Sequence, residues 1–221
     1  MKKLIIYELN ELPPQLLKDY ICHNPNSTIS YLCKKNNYKT TKTFDSGELH
    51  PWTTWPTFYR GVTNDLHKIQ FINQDRSFAE KKYPPVWNIL AKNQISIGIY
   101  GSLQSYPPPK LENIKFYLPD TFAPTSKAFP DILRVFQEFN LNVVGNNNAI
   151  TRAISPKDIK NFISCISSKL ISTKTLLKIV FHVFKESIIP RYKIRRSLMQ
   201  PLLSFDPYLS QLKSSKPQFS T

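Results

Sequence analysis

The stretch on which the rest of the chain turns is Glu48-Leu49-His50-Pro51-Trp52-Thr53-Thr54-Trp55-Pro56-Thr57-Phe58-Tyr59-Arg60-Gly61. Proline fixes its own φ, lacks an N–H, suits the first turn of a helix and disfavours helix in the residue before it. Pro56 therefore predicts a helix opening just after Thr54, with Thr54 at or near its N-cap. A hydroxyl there stands beside unpaired backbone N–H groups at the positive end of the helix dipole. Two readings follow: a plain capping residue, or a hydroxyl placed to hold and attack a phosphate or sulfate.

On the N-terminal side, residues 4–9 form a short apolar run of the kind buried in a parallel sheet. Helical spacing follows over 13–22 and 27–35, and residues 39–44 are Thr-rich and strand-like. On the C-terminal side, Thr63-Asn64-Asp65 reads as a turn, Pro84-Pro85 opens a helix through Leu90, and residues 95–100 and 115–118 read as strands. This alternation predicts an α/β fold with a mainly parallel sheet. Ligands of such sheets sit at the carboxyl ends of the strands. Asn10 and Glu11 follow the first strand, Ser102 to Ser105 follow the second, and the Thr54 loop is expected to join them.

Beyond about residue 150 the character changes. Ser155-Pro156-Lys157-Asp158 has the cap, N1 proline and N3 acid of a helix start, and Ile159, Phe162, Ile163, Ile166 and Leu170 form an apolar stripe. From Lys157 to Arg196 there are ten basic and two acidic residues. This run is either the solvated face of a helical insertion or a surface for acidic lipid or nucleic acid, densest at Arg191-Tyr192-Lys193-Ile194-Arg195-Arg196. A helix is expected from Ser204 through Leu212. The chain thus divides into an α/β part (1–150), a basic helical insertion (151–204) and a return segment (205–221).

Hydrophobic residues make up 41% and aromatics 13%, which excludes a disordered chain. The formal charge of +15 points to an anionic partner or substrate, or to separation from an acidic half. Cys22, Cys33 and Cys165 are too few and scattered for a disulfide framework, so a reducing, cytoplasmic setting is expected. The apolar run after Lys2-Lys3 ends too soon for an export signal, and residues 179–184 are too few for a transmembrane segment.

Three pieces together resemble the alkaline phosphatase superfamily, in its type I phosphodiesterase/nucleotide pyrophosphatase branch: a first strand ending in Asn10-Glu11, the segment Trp52-Thr53-Thr54-Trp55-Pro56-Thr57, and Gly61-Val62-Thr63-Asn64-Asp65-Leu66-His67-Lys68. Gly101 to Pro108 and Pro119-Asp120-Thr121-Phe122-Ala123 are similar to further segments of that group, so the resemblance spans most of residues 3–125. It implies a three-layer sandwich in which Thr54, bound to one of two metal ions, usually zinc, attacks phosphorus in line to give a phospho-enzyme. A metal is needed because a threonine hydroxyl is a poor nucleophile at neutral pH. Trp52 and Trp55 become wall or packing residues. The implied substrate is a phosphoester, chiefly a phosphodiester, with sulfate ester as its neighbour.

The sequence departs from that family in two ways. Where the family has Asp-Gly after the first strand, this chain has Asn10-Glu11, so the first metal ligand falls to Asn10, Glu11 or Glu8, or Asn10 is a turn former. The histidines are His23, His50, His67 and His182, with no His-x-x-His or Asp-His pair. His23 and His182 read as structural, His67 matches a position that is usually structural, and His50 is a candidate for orienting the Thr54 site from behind. The family's remaining ligands lie in a second half. The expectation is therefore an N-terminal portion with an incomplete sheet, weak or inactive alone, with a separately encoded second half as a possible partner. The competing expectation is a non-enzymatic basic module on an anionic surface.

Overall fold

The structure, a computed structural model, describes residues 3–36, 38–144, 156–192 and 199–221. Among them the elements run β1 (Leu4–Ile5), α1 (Pro14–His23), α2 (Thr28–Lys35), α3 (Pro51–Arg60), α4 (Asn64–His67), α5 (Ser77–Lys82), α6 (Val86–Lys92), β2 (Ile97–Tyr100), β3 (Ile114–Leu118), α7 (Ile132–Val144), α8 (Pro156–Ser167), α9 (Thr173–Ile188), α10 (Met199–Ser215) and β4 (Phe219–Ser220).

The strands form one sheet in the order β1-β4-β2-β3, and every pairing is parallel. The last strand in sequence lies inside the sheet, with Phe219 opposite both Leu4 and Ile97. Ile6 N–H donates to the Ser220 carbonyl at 2.8 Å, and Tyr100 N–H to the Thr221 carbonyl at 2.8 Å.

Strand residues alternate between two cores, as the two-residue period of a strand requires. Ile97, Ile99, Tyr117 and Phe219 pack with Tyr59 of α3 and Trp87 of α6. Phe116 and Leu118 pack with Leu133, Phe136, Cys165, Ile179, Leu203 and Tyr208 of the later helical part. Helices thus cover both faces of the sheet. Gly98 lies under the Phe116 ring so closely that a Cβ there would sit 2.2 Å from its Cζ.

The basic part folds as α8 and α9, and α10 leads back to β4. Ser155 and residues 193–198 lie outside the described residues, so only Arg191 and Tyr192 of the densest basic run are described.

Three sequence expectations need correction. Residues 4–9 do not form a buried strand: β1 is two residues long, and Leu4 and Ile5 are 57% and 55% exposed because β1 is an edge covered little on either face. Residues 39–44 are not a strand, since no neighbouring strand of the sheet pairs with their backbone. The last helix covers Met199–Ser215 among the described residues, longer than expected at both ends, and carries Pro207 in its interior. Burial of Leu203 and Tyr208 on either side outweighs the roughly 3 kcal/mol a helical proline costs.

Candidate functional site

The carboxyl ends of β1, β4 and β2 converge, with α3 across them, on a group of oxygen-bearing side chains. Glu8 accepts hydrogen bonds from the hydroxyls of Tyr59 and Thr221, and Thr221 shares its hydroxyl with Ser102 at 2.7 Å. Burial pushes the Glu8 carboxyl above its ordinary range, overriding the two hydroxyls that stabilise its charge. The Tyr59 phenol is driven far up, first by burial and then by the Glu8 charge. Two residues further on, Asn10 Oδ1 accepts from the Trp55 indole Nε1 at 2.9 Å. Glu11 then turns the chain with φ +54°, in the left-handed region.

Helix α3 begins earlier than expected. His50 is its extended N-cap and Pro51 its N1 residue, so the first of the two prolines sets the start. Thr54 consequently sits one turn inside the helix, not at its cap. Its N–H donates to the His50 carbonyl at 3.0 Å, and its hydroxyl reaches the same carbonyl at 3.3 Å. Pro56 is interior and has no N–H to give the Trp52 carbonyl four residues back. Gln104 fills that place: its Nε2 donates to the Trp52 carbonyl at 3.2 Å and to the Phe71 carbonyl at 2.9 Å. The loop after β2 thereby repairs the helix that carries Thr54.

Two further networks fix the surroundings. His67 Nδ1 accepts from the Ile69 N–H at 2.9 Å, which leaves the proton on Nε2, facing the Thr57 hydroxyl at 2.9 Å. Thr57 in turn donates to Asp45, which also accepts from the Asn64 N–H. Burial, and then the nearby Arg60 charge, hold the His67 imidazole below its ordinary value. His67 is thus a neutral brace between α3 and α4. On the other side Arg76 donates to the carbonyl and side chain of Gln104 at 2.6 and 2.8 Å, and Asp120 accepts from the Gln104 and Phe122 N–H groups. Arg76, Gln104, Tyr106, Asp120 and Phe122 line a small open cleft beside the first turn of α3. Burial raises the Asp120 carboxyl and lowers the Arg76 guanidinium.

The structure therefore brings Asn10 and Trp55 together and sets Glu8, the alternative ligand, against Tyr59 and Thr221. His50 reaches Thr54 through its backbone carbonyl, while its ring stacks on Trp52 at 4.6 Å and faces Glu48 at 3.4 Å. The expectation of a His50 side chain behind Thr54 is not met. Glu11 is exposed, and no hydrogen bond among the described residues joins Thr54 to Asn10, Glu11 or Glu8. Asp45, Thr57, Arg76, Gln104 and Asp120 received no roles from the sequence, although Gln104 and Asp120 stand in segments that carry the family resemblance.

No group of three or more His, Cys, Asp or Glu side chains among the described residues is placed to hold a metal ion. Asn10 and Thr54 bring neutral oxygens, and Glu11 is the one carboxylate of the expected set. With one carboxylate and no histidine, Asn10, Glu11 and Thr54 do not by themselves make up the ligand set of a two-zinc centre. Comparison with family models, curated proteins and solved structures returned no match to this chain.

Proposed function

We propose that the chain carries the nucleophile-bearing part of a phosphoester hydrolase or transferase of the alkaline phosphatase type, with Thr54 as the nucleophile. The observation behind this reading is the Asn10–Trp55 hydrogen bond. It ties the segment that leaves the carboxyl end of β1 to the residue after Thr54 across 45 positions, at the end of the sheet where α/β folds hold ligands.

The backbone adds independent support. In the family, glycine follows the acid at the end of the first strand and follows the histidine of the later run. The matching residues here, Glu11 and Lys68, are not glycine, yet both adopt left-handed φ values of +54° and +60°. Gly61, which does match a family glycine, caps α3 at φ +65°. Left-handed φ values at positions 11, 61 and 68 are compatible with glycines at the matching family positions, which supports the reading.

The role left to this chain's own residues is positional. Asn10 holds the indole of Trp55, the Gln104 side chain satisfies the Trp52 carbonyl, and the His67–Thr57–Asp45 chain braces the far end of α3. These contacts fix the helix on which the Thr54 hydroxyl rides. Since that hydroxyl donates only to a carbonyl among the described residues, its activation requires a group beyond those gathered around it.

The test is hydrolysis of an aryl phosphodiester, with an aryl sulfate in parallel, by wild type and Thr54→Ala with Zn2+ or Mn2+ added. A slow wild-type rate that falls at least about 100-fold in the variant is expected. The variant should fold normally, because the Thr54 hydroxyl makes only one long bond within its own helix. A rate that the substitution leaves unchanged removes Thr54 as nucleophile.

A further inference from the structure

Helix α9 buries one side and exposes an apolar stripe on the other. Thr175, Ile179, His182 and Glu186 face the interior, with Glu186 and His182 4.0 Å apart. Leu177, Phe181, Phe184 and Ile188 repeat the same spacing two residues on, so they form a second stripe on the opposite side. These four are 58–65% exposed, and Val180 beside them is 56% exposed. A helix that only covers a core turns polar residues outward, so packing among the described residues does not account for this stripe.

The charges beside the stripe are all of one sign. Lys174, Lys178 and Lys185 lie along one flank, and the Lys185 ammonium stands 4.4 Å from the Phe181 ring centre and 5.6 Å from that of Tyr192. Arg191 follows, exposed, just past the helix end. The single acid of α9, Glu186, is buried on the inner face. No helix among the described residues is long and apolar enough to cross a membrane.

We propose that α9 is an interfacial helix that lays its Leu177–Phe181–Phe184–Ile188 stripe into an anionic lipid surface, with Lys174, Lys178, Lys185 and Arg191 at the headgroup phosphates. This goes beyond the hydrolase reading and does not depend on it. Charge complementarity selects the occupant: lysines bordering large exposed apolar side chains match phosphates bordering acyl chains. A nucleic acid would engage the lysines and leave four large apolar side chains in water. A second copy would bring one lysine-flanked stripe against another, on a chain of formal charge +15.

Co-sedimentation with phosphatidylcholine vesicles, with and without phosphatidylglycerol, tests this. Binding to the anionic vesicles alone is expected, falling at least about tenfold in Phe181→Ser/Phe184→Ser and in Lys174→Glu/Lys178→Glu/Lys185→Glu. The serine variant alters exposed side chains only, and an unchanged thermal midpoint verifies its fold. Equal binding by wild type and both variants, or none to anionic vesicles, overturns the proposal. So does DNA binding that survives the serine substitutions without vesicle binding. A dimer in sedimentation velocity that the serine variant dissociates, again without vesicle binding, assigns the stripe to self-association and overturns it too.

Discussion

At the scale of single residues, Thr54 and Glu8 show how backbone position and solvent access set what a side chain can do. Thr54 has its own amide and hydroxyl turned to one carbonyl, so its chemistry depends on what is brought to it. Glu8 is the reverse case, a half-buried carboxyl held among hydroxyls. Because its folded-state pKa is raised, the folded chain keeps the Glu8 proton to higher pH than the unfolded chain. Its stabilising contribution is therefore complete below the ordinary glutamate value and is lost as pH rises through the folded value. Glu8→Gln, which cannot ionise, should gain stability relative to wild type between pH 4 and pH 8 as measured by urea midpoints. A constant difference across that range would show that Glu8 is not desolvated.

At the scale of elements, β2 and β3 are held by a size match in which Gly98 leaves room for the Phe116 ring. A methyl at position 98 would collide with a fully buried aromatic side chain that has little space to move. Gly98→Ala should cost roughly 1–3 kcal/mol in urea unfolding, and Phe116→Leu in the same chain should recover part of that loss. A neutral Gly98→Ala would mean that the ring has an alternative seat. Helix α3 makes a related point. Its interior proline leaves the Trp52 carbonyl without a helical partner, and the side chain of Gln104 in a distant loop supplies one.

At the scale of the whole molecule, β4 ties the two parts of the sheet together. β4 separates β1 from β2, and Phe219 is buried in the core under α3 and α6. Phe219→Ala should therefore lower stability by about 3–5 kcal/mol, the range for truncating a buried aromatic. If β4 were loosely attached, the loss would stay under about 1 kcal/mol, within the usual range for surface changes.

Local chemistry alone determined several things here. The apolar runs of β2 and β3, the helical spacing of α2 and the Pro85 start of α6 were legible because each depends on neighbours within one turn or one strand. The expectation that the Thr54 segment meets the residues after the first strand came from the carboxyl-end rule for such sheets, and the contact found there is Trp55 with Asn10, not Thr54. The sequence misplaced Thr54 by one helical turn, since two prolines compete to open α3 and the choice is settled by whether a distant group can serve the Trp52 carbonyl. It also did not show that Glu8 meets Thr221, because that contact exists only once β4 has entered the sheet beside β1. Caps and periods act through a few bonds of backbone, whereas burial, charge and the completion of a helix by another segment are properties of the packed chain.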